Sequence, residues 1–423
     1  MRVVELFSGI GAQIKGVADT NLFKVESVAI SEIDKDAVLS YAAIHCGFTP
    51  EMVASSSCPS HEEMVNYLNE LNLGYDFEND KAYNWGKYKE STIKKYYLAC
   101  KLTNNLGDIS RIKHLPACDL LTFSAPCTDI SKAGLCKGMD KGTRSGLVWE
   151  ILRLLSIMKS EGKLPKYLFM ENVKNLVNKS FIKDFDALNK AICDFNYNVY
   201  WKVLSAEDCG IPQKRERVFA IYIRRDIDTG LFEFPSPIPL ETRAVDYMEE
   251  EVEERYVISP EKLKQFIENT GGEVDLNSMI LGTCHYSNDI KHCTRELIYN
   301  SLTSAPTLLA SMYKVAPYIM TLNNGVHCQG NYHITDENIR VHRLSPKECW
   351  RLMGFTDTDF EACKAFKESN AVLRKQAGNS IVINCVKLIF EHLYKAQYDF
   401  NYICSDKKVM TEKMNELLSM LNS

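Results

Sequence analysis

Short apolar runs that each break off into residues suited to chemistry rather than packing constrain this chain more than any other feature. Val3-Val4-Glu5-Leu6 passes into Phe7-Ser8-Gly9-Ile10-Gly11, and Ser27-Val28-Ala29-Ile30 into Ser31-Glu32-Ile33-Asp34. Leu120-Leu121-Thr122-Phe123-Ser124-Ala125 ends in Pro126-Cys127, and Tyr167-Leu168-Phe169-Met170 in Glu171-Asn172-Val173. A further strand is expected to reach Asn105-Leu106-Gly107-Asp108-Ile109. Helical stretches such as Gln13 to Val17 separate these runs, so they read as buried strands alternating with helices. That alternation predicts a doubly wound, mostly parallel α/β sheet, whose ligands bind outside the carboxyl ends of the strands.

At 423 residues, with 45% hydrophobic and 25% charged, the chain has room for two domains. It begins without a basic stretch followed by an apolar segment and contains no run of about 18 apolar residues, so a soluble, cytoplasmic protein with no membrane partner is expected. Its 15 cysteines are odd in number and lack paired spacing, which suits reduced thiols. A formal charge of -5 argues against blanket nucleic-acid binding and leaves room for a local basic cleft.

Taken alone, Cys127 is most simply a small buried apolar residue, as cysteines usually are. Its company changes that. Gly9 and Gly11 let the backbone approach a ligand, and an acid about 20 residues on, Glu32, suits ribose hydroxyls, although the third glycine of the dinucleotide fingerprint is missing. Glu171 brings a carboxylate to the same sheet edge as the thiol, a pairing that suggests covalent chemistry. Gly210-Ile211-Pro212-Gln213-Lys214-Arg215-Glu216-Arg217 then runs into Val218 to Ile223, and alternation predicts that Arg215 and Arg217 share a strand face.

In this order these blocks resemble the DNA (cytosine-5) methyltransferase family, in its bacterial and phage restriction-modification form. The resemblance is carried by Phe7 to Gly11, Pro126-Cys127 through Ser131, Glu171-Asn172-Val173, Gln213 to Arg217, Arg343-Leu344-Ser345-Pro346-Lys347-Glu348-Cys349 and Gln376-Ala377-Gly378-Asn379-Ser380-Ile381. It covers residues 1 to about 47, 105 to 225 and 340 to 390.

The resemblance implies that Cys127 adds to C6 of cytosine, making C5 nucleophilic toward a methyl group. Glu171 would supply or share a proton at N3, oriented by Asn172, with Arg217 and Arg215 positioning the carboxylate, the base oxygen or a phosphate. S-adenosylmethionine is the implied cofactor. Phe7, Gly9 and Gly11 would surround its amino acid moiety, Glu32 would hold the ribose and Asp108 the adenine amine. Ile109, Pro126, Asn379 and Ser380 would line the same pocket. Ile33 departs from the family, where many relatives carry an aromatic residue against the adenine.

Ring atoms of a base are unreachable inside a duplex, so the target cytosine must be flipped out. The glycine- and lysine-rich stretch from Lys132 to Gly146 is expected to close over the DNA, with Ser131, Lys132, Lys137 and Arg144 as contacts. Residues 228–373 are read as a target recognition domain and hinge, with Arg295, Thr307 and Leu308 as recognition residues. Residues 1–227 with 374–400 form the expected catalytic domain, and 401–423 a helical tail in which Met410, Met414, Leu417 and Leu421 trace one face. The acidic run Asp246 to Glu254 reads as a solvated helix face. Cys284-His285, His292-Cys293 and His327-Cys328 lack the spacing of a structural zinc site, so no metal is expected.

In the 50–104 insertion, Ser60 and Glu63 form a capping box before Met64, Leu68 and Leu71, and a second helix is expected from Ser91 to Leu102. Tyr83, Trp85, Lys87, Tyr88 and Lys89 between them read as packing on the sheet edge rather than a DNA contact. The expected partners are double-stranded DNA and a separately encoded restriction endonuclease, and the chain is expected to act as a monomer. Two other readings stay open: an RNA cytosine methyltransferase acting on tRNA, and a catalytically silent regulatory module on the same fold.

Overall fold

A computed structural model describes residues 1–76, 81–126, 145–285, 295–313, 316–323 and 329–405. The chain divides into two compact units, one of Met1–Leu204, Glu216–Ser236 and Cys385–Ser423, the other of Ser205–Arg215 and Pro237–Asn384. The division drawn from sequence at 227 and 374 differs in placing 205–215 and 374–384 with the catalytic part and 228–236 with the recognition part.

The first unit is built on six strands, β1 (Arg2–Leu6), β2 (Glu26–Ser31), β3 (Leu120–Phe123), β4 (Tyr167–Val173), β5 (Tyr197–Ser205) and β6 (Glu216–Arg224), in the order β2-β1-β3-β4-β6-β5. β1 pairs in parallel with both β2 and β3, and β3 with β4, while β6 runs antiparallel to β4. Strands buried on both faces need near-continuous apolar runs, and Leu120, Leu121, Phe123, Leu168, Phe169 and Met170 supply them. One face packs on Ile151, Leu154, Leu155 and Met158 of the helix Glu150–Ser160, with Phe185, Leu188 and Ile192 of Ile182–Cys193. The chain order reverses at β1, so the crevice at the carboxyl ends of β1 and β3 is the topological switch point.

The expected strand at 105–109 is not formed. Asn105 makes one parallel bridge to Ile30, and Asp108 instead caps a single turn, Ile109–Arg111. The cause lies in one side chain: the Asn105 side-chain carbonyl accepts from the Glu32 and Gly107 backbone amides, competing with a strand ladder.

The insertion holds helices Pro50–Ser55, His61–Glu70 and Glu90–Leu102. Ser60 and Glu63 form the capping box, and Met64 and Leu68 are buried while Leu71 ends the helix. Trp85 is buried with its indole N–H donating to the Leu73 carbonyl at 3.0 Å, and Tyr83 stacks on Tyr88. Trp85 thus packs within the insertion, while Lys87, Tyr88 and Lys89 are exposed.

The second unit has strands β7 (Glu273–Asp275), β8 (Ile280–His285), β9 (Arg295–Asn300), β10 (Tyr318–Leu322), β11 (Asn331–His333) and β12 (Ile339–Arg343). Four of them form a mixed sheet in the order β12-β10-β9-β8, and β7 pairs with β11. Phe266, Ile298, Met320 and Val341 centre its core. The acidic run is not a helix: short turns at Ala244–Tyr247 and Glu254–Tyr256 flank it. Ser345 donates to the Glu249 side chain and Arg340 to the carbonyls of Glu249 and Glu250, while Asp246, Glu250, Glu251, Glu253 and Glu254 are exposed, so the run is solvated as expected. Of the tail, the helix Phe400–Ser405 is described, and Met410, Met414, Leu417 and Leu421 lie outside the described residues.

Candidate active site

Parallel register fixes what meets at the carboxyl edge. Leu6 stands beside Ser31 and Phe123, and Phe123 beside Met170, so the residues that follow each, Phe7, Glu32, Ser124 and Glu171, emerge together. Because β6 runs the other way, its first residues reach the same edge.

At β1 the chain turns sharply. Phe7 adopts φ 56, which residues with a side chain rarely do, and Gly9 follows at φ 54 with open space where a Cβ would project. Gly11 serves the fold: at φ 81 a Cβ there would lie 2.2 Å from the His45 ring and 2.8 Å from Tyr41. Glu32 accepts from the amides of Gly9 at 2.9 Å, Ile33 at 2.8 Å and Asp34 at 2.8 Å. Burial, and then the Asp34 carboxylate, raise its carboxyl pKa against the pull of those amides. Asp108 accepts from the Ser110 amide and hydroxyl and from Asn72 at 2.8 Å. Ser8 is buried, and its hydroxyl has no hydrogen-bond partner among the described residues.

A carboxylate oxygen can take two hydrogen bonds, so Glu32 Oε2 and Asp108 Oδ2, each accepting one, retain capacity for a ligand's hydroxyl or amine. With the open space at Gly9 and the Ser8 hydroxyl, this donor and acceptor set fits a nucleoside-bearing cofactor. Ile109, by contrast, is buried in the apolar core, where its carbonyl accepts from Arg153 at 2.9 Å.

Two residues here escaped the sequence reading. Asn105 clasps Glu32 through both its amide and carbonyl, and Asn72 reaches Asp108 from the insertion. Asn72 carried a signal: in Leu71-Asn72-Leu73-Gly74 just after a helix, asparagine and glycine mark a left-handed exit, and Asn72 has φ 56.

Beside this lies the strand leading to the thiol. Asn172, buried, donates to the Ala125 carbonyl at 3.3 Å and accepts from the Val173 amide, holding the backbone just before Pro126. Pro126 is half-buried at the end of this segment. Cys127 lies outside the described residues, as do Ser131, Lys132, Lys137 and Arg144. Glu171 and Arg217 pair diagonally across β4 and β6, with Nε 3.1 Å from Oε1 and both side chains mostly buried. Double-sided burial leaves such a pair weakly screened, so it fixes the carboxylate's direction.

Arg215 does not share that face. It precedes β6 and belongs to the second unit, where its buried guanidinium donates to the carbonyls of Leu308 at 2.6 Å, Gly378 at 3.1 Å and Ser380 at 2.6 Å. Gln213 likewise donates to the Leu352 carbonyl and accepts from the Leu308 amide. Thr307 donates its hydroxyl to the Lys214 carbonyl, and Leu308 is 2% exposed. Asn379 is the exposed last residue of the helix Asn370–Asn379, and Ser380 caps it, buried. A Cβ at Gly378 would come 2.4 Å from the Leu309 backbone, so glycine is required for this approach. Arg295 pairs through its backbone with His285 in β8.

No cluster of three or more His, Cys, Asp or Glu side chains suited to a metal occurs among the described residues. Cys284 is buried, while His292, Cys293, His327 and Cys328 lie outside those residues. Nor, among the described residues, is any helix long and apolar enough to cross a membrane.

With this geometry in place, the chain belongs to the C-5 cytosine-specific DNA methylase family, which it matches over residues 61–395, and is a DNA cytosine-5 methyltransferase of the restriction-modification type. It is 35% identical to the type II methyltransferase M2.ScrFI of Lactococcus lactis subsp. cremoris, across 94% of this chain and 100% of that one. To the type II methyltransferase M.HhaI of Haemophilus parahaemolyticus it is 31% identical, over 67% and 78% of the two chains. Among solved structures, the methyltransferase EhMeth of Entamoeba histolytica shares the fold with a TM-score of 0.55 at 15% identity. The Dnmt2 methyltransferase of S. pombe does so with a TM-score of 0.53 at 16% identity. These alignments each cover 93% of this chain and 98% of the other.

Proposed function

We propose that the protein methylates C5 of a cytosine flipped out of a specific duplex DNA sequence, through a covalent bond between Cys127 and C6. The observation that carries this reading is the Glu171–Arg217 pair, 3.1 Å apart, on the same sheet edge as Asn172, which holds the backbone leading into Pro126-Cys127. In this scheme the Cys127 thiolate adds to C6 and leaves C5 with enamine character. Glu171 holds or supplies the proton at N3 that keeps charge from building on the ring, and Arg217 keeps its carboxylate aimed there. After transfer, loss of the C5 proton allows elimination of the thiolate.

S-adenosylmethionine supplies the electrophilic methyl when bound. Glu32 would accept from the ribose hydroxyls and Asp108 from the adenine amine, while the turn at Phe7, Ser8 and Gly9 receives the amino acid end. Pro126 lies between this pocket and the thiol in sequence. Asn379 and Ser380 are proposed as further cofactor residues, and Arg215 holds the Ser380 carbonyl. Thr307 and Arg295 in the second unit, and Ser131, Lys132, Lys137 and Arg144 ahead of Ser145, are proposed DNA contacts. Leu308, being buried, would act there by shaping the Thr307 backbone.

Transfer of labelled methyl from S-adenosylmethionine to duplex DNA and to tRNA, compared side by side, tests the substrate. Incorporation into duplex DNA is expected; incorporation into tRNA alone would overturn this reading.

A further inference from the structure

We propose that Gln13 is a positioning residue for methyl transfer, coupling the cofactor turn to the strand that leads into the nucleophile. This rests on the reading of Cys127 as nucleophile and of the Phe7–Gly9 turn as the cofactor's seat.

Glu5 on β1 and Thr122 on β3 are register partners, so their side chains share one face of the sheet. The helix Ala12–Ala18, which begins directly after the cofactor turn, lies over them. The Ile14 amide in its first turn donates to Glu5 Oε1 at 3.1 Å. The neighbouring Gln13 accepts the Thr122 hydroxyl's bond at Oε1 and donates from Nε2 to Ser124 Oγ at 2.5 Å. Gln13 is 2% exposed and Thr122 fully buried. Ser124 is the third residue before Cys127.

An apolar side chain of glutamine's size would fill this interior without the desolvation that a buried amide incurs. What the amide adds is direction: both its ends are tied to β3, one within the strand and one just past it, where the chain departs toward Pro126-Cys127. A helix moved by cofactor binding at its amino end would carry Ser124 with it, and a rigid helix holds Ser124 in register with that cofactor. Packed polar networks with every member bonded have this stiffness. Of the four side chains, Glu5 also accepts from Tyr41 at 2.6 Å, which extends the bracing to the helix Lys35–Cys46.

The test uses Gln13→Met, which keeps volume and removes both bonds, with Ser124→Ala and the double variant. Methylation of duplex DNA, KM for S-adenosylmethionine, thermal melting and trapping on 5-fluorocytosine DNA are measured for each. We expect Gln13→Met to lower kcat and the trapping rate at least about tenfold. KM for S-adenosylmethionine should stay within about threefold. Ser124→Ala should lose a similar factor, and the double variant no more than either single one, as for residues acting through one contact. Unchanged kcat in Gln13→Met, losses that multiply in the double variant, or losses that only follow the melting temperature would overturn the inference. Ser124→Ala removes just a hydroxyl near the surface and keeps the test decisive if Gln13→Met folds poorly. Cys127→Ser serves as the control: if it turns over normally, the nucleophile assignment beneath the inference fails, whereas a dead Cys127→Ser beside a fully active Gln13→Met sinks the coupling alone.

Discussion

At the scale of single residues, the carboxyl groups divide by environment. Glu5 is fully buried against the helix Ala12–Ala18, and burial pushes its carboxyl up from 4.5 to about 7 despite hydrogen bonds from Tyr41 and the Ile14 amide. Between those two values the folded chain keeps a proton that the unfolded chain has lost. Glu5 therefore contributes stability that is present below pH 4.5 and is lost as pH rises to about 7. Glu5→Gln should remove this component, so the wild-type minus variant difference in unfolding free energy should fall with pH across that window, by at most about 1.4 kcal/mol per pH unit. Urea titrations at pH 5, 6 and 7 measure it, and a difference constant with pH would refute the assignment. Glu171 is held by an arginine instead, and its proposed work is at N3. Glu171→Gln can donate to N3 but cannot exchange a proton there, so kcat should drop by roughly 10²- to 10⁴-fold. Single-turnover methylation checks this, and an unchanged rate would remove Glu171 from the chemistry.

At the scale of elements, what decides a residue's part is which strand end it sits on. The carboxyl-edge residues of β1, β2, β3 and β4 were legible because each apolar run stops where its chemistry begins. Arg217 became part of that edge only because β6 runs antiparallel to β4, a fact of pairing that no local pattern contains. Alternation also suggested a shared face for Arg215 and Arg217, which fails because the strand starts at Glu216. Arg215 instead ties three carbonyls within the second unit. The two arginines should thus respond differently to lysine, which cannot reproduce a planar set of donors. Arg215→Lys should lower stability by about 2 to 4 kcal/mol by leaving buried carbonyls short of donors. Arg217→Lys should leave melting nearly unchanged and lower kcat about 10- to 100-fold through a misaimed Glu171. Calorimetry and steady-state kinetics on both variants separate the effects; a melting loss in Arg217→Lys larger than in Arg215→Lys would contradict the assignment. Asn72 and Asn105 were hidden for a related reason. Their partners, Asp108 and Glu32, lie 36 and 73 residues away, and side-chain bonds to such distant groups leave no periodic trace.

At the scale of the whole molecule, the chain joins a mostly parallel sheet that gathers the proposed cofactor and catalytic residues to a smaller unit with its own mixed sheet and core. Returning segments make this division hard to read linearly, since 216–236 and 385–423 rejoin the first unit after excursions into the second. The formal charge of -5 means that DNA affinity must come from local cationic groups, so it should weaken steeply as salt rises. The central claim, covalent catalysis by Cys127 on an extruded cytosine, is tested most directly by mass spectrometry of the enzyme incubated with S-adenosylmethionine and duplex DNA carrying 5-fluorocytosine. A covalent protein–DNA adduct whose cross-linked peptide contains Cys127, absent from Cys127→Ser, is the expected result. An active enzyme that forms no adduct, or one attached at another residue, would contradict it.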